Sequence, residues 1–497
     1  MMMQQHEMDQ AAPRTGHAHR SLQRLYIHCG HVVGERTISE LAPVPTAASS
    51  ITRIANYQWR NWAGIHTATP KYLYKPTSAR EIVEVLATAR AAKEHVKVVG
   101  YSNSPGVTDG YMISLENYRR VLSVDRKTGL VKVEGGIKLQ DLIDDAARHG
   151  LAMSNLGSIT WQSIAGALST GTHGTGIKLG ILATFVRELE LINAQGQVLR
   201  CSATERPELF NAARCGLGAL GVISTVTIQL EPAYQLHAVE VPMTLEAVLS
   251  SLNTIIHSAE HARFWWVPHT NKCWVWQANR TKEKAAPPRF PAWQNLLHIL
   301  VERKLYEFLL WLGTFFPRLV PYINKLYSRI LFSKRRETID RSDKQLTFDC
   351  LFQQHVSEWS IPVANTATAM LRLRDLIKDL DLKVHFSVEV RFTKADDIWL
   401  SPSYGRDSAW IGIIMYRPYG RDMPGTKVYF DAFEELMKEL DGRPHWAKAF
   451  KMSEVEFRQT LPHWDDFKRV RAEMDPTSTF SNAYLDRLFP TQKQLTS

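Results

Sequence analysis

Between Leu151 and Gly176 the chain packs glycines and hydroxyls too densely for an ordinary helix or strand: Leu-Ala-Met-Ser-Asn-Leu-Gly-Ser-Ile-Thr-Trp-Gln-Ser-Ile-Ala-Gly-Ala-Leu-Ser-Thr-Gly-Thr-His-Gly-Thr-Gly. Glycine permits positive φ and close backbone approach, so successive amide N–H groups can converge on a diphosphate while Ser154, Ser158, Ser163, Thr170 and Thr172 add donors. Composition alone would equally describe a glycine-rich surface loop. A second candidate is Val388-Glu-Val-Arg-Phe392, where period-two alternation places Glu389 and Arg391 on one face of a strand and Val388, Val390 and Phe392 on the other. Such a face is either solvated or a paired acid and cation able to handle a proton and a developing oxyanion. The third, Arg443-Pro-His-Trp-Ala-Lys448, offers an imidazole and an ammonium, or else a helix start after proline with both side chains exposed.

The elements that must position these groups are legible upstream. Ser78-Ala-Arg-Glu81 reads as a capping box, and Ile82, Val83, Val85, Leu86 and Ala89 recur at helical spacing, which predicts a helix over 78–93. Val96 to Val99 is a β-rich run entering the loop Gly100-Tyr-Ser-Asn-Ser-Pro105, and Leu130 to Glu134 precedes a helix at 138–149 stopped by Gly150. Val186–Ile192 and Val198–Cys201 flank Asn193-Ala-Gln-Gly196 as a hairpin, and Val222–Leu230 is a further strand. Alternating strands and helices predict an α+β fold, and 497 residues exceed what one core usually supports. A first domain therefore spans 56–232, closing at Glu231-Pro232. Beyond it, tryptophans at 265, 266, 274, 276, 293 and 311 mark a compositional shift.

A net charge of +10 suits nucleic acid, an anionic membrane or acidic ligands. No nucleic-acid motif accompanies it, so cofactor phosphates and a membrane-facing basic patch are expected instead. Cysteines at 29, 201, 215, 273 and 350 are odd in number and lack paired spacing, which points to free thiols in a reducing compartment. Close His/Cys clusters and a Gly-x-Ser-x-Gly elbow are missing, so no metal site or nucleophilic triad is expected. Residues 1–55 read as an extension without the apolar core of a secretory signal. Within it, Arg24-Leu25, five residues, then His31-Val32 resembles the N-terminal peroxisomal targeting pattern, which ends more usually in Leu or Ala, so the extension is either a disordered leader or an address to a peroxisome or glycosome-type microbody. The segment 293–336 holds Phe308-Leu-Leu-Trp-Leu-Gly-Thr-Phe-Phe-Pro317, too short for a ~30 Å bilayer core that needs roughly 20 apolar residues. Flanking Arg303, Lys304, Arg318, Lys325, Arg329, Lys334, Arg335 and Arg336 suit an interfacial helix pair at anionic headgroups, or else the solvated face of a core helix.

Four blocks in matching order, Val96–Pro105, Leu151–Gly176, Val388–Phe392 and Arg443–Lys448, resemble the aldonolactone oxidoreductases, the L-gulonolactone, L-galactonolactone and D-arabinonolactone oxidases among the vanillyl-alcohol-oxidase-type flavoproteins. The resemblance covers about residues 55–490. It implies a PCMH-type FAD-binding domain, a cap domain over 233–442 and a C-terminal segment, 443–497, that returns to the flavin domain. It further implies flavin contacts from Gly100, Tyr101, Ser102, Asn103, Ser104, Pro105, Asn155, Gly157, Ser158, Ser163, Gly166, Thr170, Gly171, Thr172, His173 and Ile223. Many relatives carry a flavin-linked histidine where this chain has Asn103, whose amide is no nucleophile, so the flavin is expected to be dissociable unless attachment moves to another residue such as His173. At Gly157 the family's dehydrogenases carry alanine; glycine leaves dioxygen a path, which favours oxidase over cytochrome-c-linked dehydrogenase, unless it only relieves a backbone clash.

By the same resemblance Glu389 and Arg391 clamp a sugar-1,4-lactone, with Arg391 stabilising the oxyanion or enolate and Glu389 orienting hydroxyls or taking a proton. Lys448 would favour a developing alkoxide or anionic reduced flavin, and His445 would contact cofactor or substrate. The expected outcome is hydride transfer to flavin N5, enolisation of the keto-lactone to ascorbate or an analogue, and peroxide from dioxygen. The family's membrane-bound members add the endoplasmic reticulum and mitochondrial membranes as alternative locations. From another class stands a catalytically silent flavin-binding membrane scaffold, against which Glu389, Arg391, His445 and Lys448 argue.

Overall fold

A computed structural model describes residues 51–100, 108–285, 292–331, 333–348, 350 and 352–490. The Arg24-Leu25 to His31-Val32 pattern, Cys29 and the loop residues Tyr101, Ser102, Asn103, Ser104 and Pro105 lie outside the described residues. The chain divides into two compact units, one of residues 1–48 and 287–308 and one of 49–286 and 309–497. The described part of the first is helical from Ala292; the second carries the sheets and every cavity discussed below.

The helix expected at 78–93 spans Ala79–Ala92, with the Ser78 hydroxyl accepting from the Glu81 N–H at 3.2 Å. Glu81 reaches back one residue further than a capping box requires, accepting from the Thr77 N–H at 2.6 Å. Ile82, Val85, Leu86 and Ala89 are buried, as their spacing demands. A helix over Leu139–Arg148 buries Leu139, Leu142, Ile143 and Ala146 and is followed by Gly150 at φ +73°. The strand Val96–Val99 lies parallel to Tyr111–Ser114, itself parallel to Tyr72–Lys75, in a four-stranded sheet completed by Thr52–Ala55. The predicted hairpin pairs Val186–Ile192 with Val198–Ser202 in a five-stranded antiparallel sheet, turning through Gly196 at φ +84°.

The largest sheet has eight antiparallel strands, in the order Arg336–Arg341, Gln235–Thr244, Lys272–Thr281, His261–Trp266, Val388–Thr393, Ser408–Tyr416, Gln354–Pro362 and Arg443–Pro444. Register brings side chains into rows across one face. Trp274, Trp265, Glu389, Gly412 and Glu358 form one row, and Trp276, Arg263, Arg391, Trp410, Ser360 and Arg443 the adjacent one. The opposite face is apolar: Val388, Val390, Phe392, Ile411, Ile413 and Trp359 join one core cluster with Met370, Leu373, Phe433 and Met437 from the helices Thr366–Asp379 and Thr426–Glu439. The charged face is not solvated either, since all six residues of Val388–Thr393 are buried.

Glycines stitch the hydroxyl-rich loop to this sheet. The Gly176 N–H donates to the Phe392 carbonyl at 2.7 Å with φ +144°, and the Thr175 hydroxyl accepts from the Phe392 N–H at 3.2 Å. At the other end of the chain, Trp446 stacks on Phe457 at 4.8 Å, Phe457 on Trp464 at 5.1 Å and Trp464 on Phe489 at 4.6 Å. The Trp446 indole N–H also donates to the Leu400 carbonyl at 2.6 Å, so the residue that follows His445 is pinned from two sides. Truncating so large a buried side chain loses about 3–5 kcal/mol. Trp446→Ala is expected to lower the unfolding free energy by about that amount, which urea denaturation measures; a loss below about 1 kcal/mol would show that the stack does not anchor this segment.

Candidate functional site

A cavity of about 450 Å³ opens between the charged face of the large sheet and the glycine loop. Gly157, Ser158, Thr172 and His173 line it from the loop, Glu389 and Arg391 from their strand, and His445 and Lys448 from the C-terminal block. Residues far apart in sequence are therefore brought together, and the strand alternation that could have meant a solvated face instead faces a cavity. Arg443-Pro444 is a short strand rather than a helix start, and the His445 N–H continues its pairing by donating to the Glu358 carbonyl at 2.8 Å.

Glu358 and Trp410 are the members that the sequence did not single out. Arg391 Nη2 donates to the Glu358 carboxylate, while Arg391 Nε stands 3.7 Å from Glu389. Arg391 Nη1 makes longer approaches to Ser158 Oγ at 3.4 Å and the His173 carbonyl at 3.5 Å. His173 lies flat on Trp410 with ring centroids 3.7 Å apart, its Nδ1 donating to the Gly174 carbonyl and its Nε2 3.4 Å from Glu358. His445 Nδ1 accepts from the Ala447 N–H at 3.1 Å, which leaves the proton of the neutral ring on Nε2.

Burial raises the proton affinity of Glu358, but Arg391, His173 and Lys448 outweigh it and hold the carboxyl well below the usual glutamate range. Desolvation, with Arg391 second, lowers the pKa of His173. His445 is pushed well below its ordinary value of 6.5, again by burial first, with Glu358 opposing and Lys448 reinforcing. Arg391 is held on its charged side of the balance by Glu358 and Glu389 against the opposing effect of burial. The result is an anionic Glu358, a cationic Arg391 and two neutral imidazoles. Although His173, Glu358 and His445 bring three ligand-type atoms within 4.8 Å of one another, Glu358 is engaged by Arg391 and Lys448 adds positive charge.

A smaller cavity of about 80 Å³ is lined by Gly100, Ser163, Gly166, Thr170 and Ile223 of the expected set, together with Lys97, Gly218 and Gly221. Tyr484 lines both cavities. Ser163 caps the helix Ile164–Ser169 through the Gly166 N–H, and a Cβ at Gly100 would fall 2.2 Å from Ser163 Oγ. Lys97 is buried, and desolvation alone lowers its pKa to about 8. A buried ammonium beside close-packed backbone and hydroxyls is a complement to phosphate oxygens. Its Val-Lys-Val-Val setting reads as plain strand, which hid it. Asn155 and Gly171 line neither cavity. Asn155 Oδ1 accepts from the Leu156 and Thr175 N–H groups, and Gly171 turns at φ +69°. These features fit a flavin dinucleotide, with Lys97, Gly100, Ser163, Gly166 and Thr170 available to its phosphate side and Gly157, Ser158, Thr172 and His173 to its ring side.

The neutral imidazoles make a stability prediction. A histidine whose folded pKa lies below its unfolded value contributes stability that is complete above about pH 6.5 and lost as pH falls, because the unfolded chain takes up a proton that the fold refuses. Each such group adds a slope of about 1.4 kcal/mol per pH unit. Replacing His445 by Gln should flatten the fall in unfolding free energy between about pH 6 and 5 by roughly that slope. Urea unfolding at stepped pH reads it, and parallel profiles for the two proteins would contradict a neutral buried His445.

Comparison with known proteins places this geometry. Residues 70–202 match the family model described as an FAD binding domain, and residues 226–488 match that described as D-arabinono-1,4-lactone oxidase. The chain is 43% identical over 437 residues to L-gulonolactone oxidase of Mus musculus, covering 87% of this chain and 98% of the relative. It is 35% identical to L-gulono-1,4-lactone dehydrogenase of Mycobacterium tuberculosis, over 86% of this chain and 98% of that one. Among solved structures, a solvent-stable cholesterol oxidase superposes with a TM-score of 0.73 at 17% identity, covering 90% of this chain and all of the other. At that identity the superposition shows the fold alone, a mixture of helix and sheet built on a PCMH-type FAD-binding domain. With one family model spanning more than half of its length and relatives aligned over nearly all of theirs, the chain belongs to the aldonolactone oxidase family of FAD-dependent oxidoreductases.

Proposed function

We propose that the protein oxidises a sugar-1,4-lactone of the L-galactono or L-gulono type to ascorbate or a close analogue and passes the electrons to dioxygen as hydrogen peroxide. The observation that carries this reading is the buried charged face on which Glu389 and Glu358 share one row and Arg391 stands in the next, facing a cavity shared with the flavin-type glycine loop. Bound FAD supplies the two-electron acceptor. The chain's own groups do the rest. Removing hydride from a hydroxyl-bearing ring carbon releases the hydroxyl proton, for which Glu389 is the base in reach of the cavity. Negative charge that develops on the lactone oxygen is met by Arg391, whose guanidinium is buried, where such contacts are strong. Lys448 reinforces that positive field, and neutral His445 presents its Nε2 proton. Arg391→Ala should lower peroxide-forming turnover by about 10²–10³-fold, followed as peroxide released per mole of flavin; unchanged turnover would remove Arg391 from the reaction.

Gly157 supports oxygen as acceptor. It lines the cavity, and a Cβ there would lie 2.9 Å from Thr172 Cγ2 and 3.4 Å from the His173 carbonyl, so an added methyl both crowds the loop and narrows the space. Gly157→Ala should slow turnover with dioxygen by about tenfold or more while sparing turnover with a dye acceptor; equal losses with both would mean that the glycine serves only the backbone. Non-covalent FAD follows from Asn103. Acid precipitation should leave the yellow colour in the supernatant, and colour in the pellet would contradict it.

Peripheral membrane association is a second property that we propose. Phe315, Phe316, Leu319, Tyr322, Leu326 and Ile330, on and between the helices Ala292–Phe315 and Val320–Leu331, are exposed. Arg318, Lys325 and Arg329 lie among them. Among the described residues no helix is long and apolar enough to cross a membrane, so the segment would lie in the interface. Sedimentation with phosphatidylserine-containing vesicles should retain the protein at low salt, and Phe316→Asp with Leu326→Asp should release it.

A further inference from the structure

Arg391 and Glu358 do not belong to neighbouring strands. The strand Ser408–Tyr416 runs between theirs, and strands spaced about 4.8 Å apart put the two backbones roughly 10 Å from each other. Direct contact therefore requires the intervening residue to leave the path open. On that strand Trp410 pairs with Arg391 and Gly412 with Glu358, so the diagonal path between the two ions passes over Gly412, which carries no side chain. A Cβ built there would sit in ordinary contact with Glu358 Cγ and Oε1 at 3.7 Å, and a branched side chain reaching beyond it would crowd the carboxylate.

The contact decides which acid holds the guanidinium. Glu389 is nearer along the chain and its Oε2 stands 3.7 Å from Arg391 Nε, yet Arg391 gives its close hydrogen bond to Glu358. The Oε1 atom of Glu389 is buried without a hydrogen-bond partner. Arg391 Nε is in the same condition. Two groups that would normally close on each other are held apart, both beside the cavity.

We propose that Glu358 is a positioning residue that, by reaching across Gly412, anchors Arg391 and so keeps the Glu389 carboxylate free to act on substrate. Without that anchor the guanidinium swings onto Glu389 and forms the bidentate pair that geometry favours for arginine and carboxylate. The oxyanion contact and the base are then lost together. The kinetic part of this inference rests on the lactone-oxidase reading; the structural part does not.

The holoenzyme variants Glu358→Gln, which keeps the length but not the charge, and Glu358→Asp, which keeps the charge but not the reach, test it. Both should retain flavin and lose about 10²-fold in kcat, with KM changed far less. Their crystal structures should show Arg391 turned onto Glu389. Gly412→Val, which removes no charge, should displace Arg391 in the same way. A Glu358→Asp enzyme with wild-type kcat, or an Arg391 unmoved in the variants, overturns the inference. So do losses confined to stability and flavin content at constant turnover per flavin. If the wild-type protein oxidises no lactone, the proposed function fails, and the position of Arg391 in the variant structures still decides for or against the anchor.

Discussion

The site depends on burying a guanidinium and a carboxylate against each other inside a sheet. Desolvating two ions is costly, and their attraction offsets that cost only with close geometry, whereas removing one partner alone destabilises a fold by about 3–5 kcal/mol. Arg391 and Glu358 are 8% and 4% exposed, so each is indispensable to the other. The surroundings answer to that pair. Gly412 clears the space between their strands, and Trp410 supports the His173 ring against Glu358. Burial keeps both imidazoles neutral, so that the charge facing the cavity comes from Arg391 and Lys448 set against Glu358 and Glu389. Arg263, caged by Trp276 at 4.3 Å and Trp265 at 4.9 Å, adds a third cation to the row behind Glu389.

The glycine loop is the other half of the same construction. Its C-terminal end is fastened to the strand that carries Arg391, through Gly176 to Phe392 and Thr175 to Phe392. Gly174 has no room for a side chain, since a Cβ would lie 1.9 Å from Asn155 Oδ1. A cofactor-side loop and a substrate-side strand are thereby held in one rigid frame, which is what hydride transfer over a short distance requires. The fold by itself would not identify the chemistry, because it is shared at 17% identity with an oxidase of sterols.

Local structure was largely legible in the chain. Ser78 and the apolar spacing after it announce the helix Ala79–Ala92, and Asn193-Ala-Gln-Gly196 announces the hairpin, because caps and turns depend on neighbours a few residues away. The alternation at Val388–Phe392 correctly separates Glu389 and Arg391 from the apolar face. It does not reveal that both faces are buried, since that depends on what covers the sheet. Glu358 was hidden for a stronger reason. Its function requires the strand order that puts Ser408–Tyr416 between two partners 33 residues apart, and strand order is a long-range property that no local pattern encodes. Lys97 was hidden because one lysine in a valine run looks like the wet side of an edge, whereas it is buried beside the smaller cavity.

The account stands most directly on what the bound flavin does when a lactone is added without oxygen. Purified protein mixed anaerobically with L-galactono-1,4-lactone should lose its yellow absorbance and recover it on admission of air with one peroxide formed per flavin. An unbleached flavin with every 1,4-lactone offered would contradict lactone oxidation, and bleaching that air does not reverse would contradict dioxygen as the acceptor.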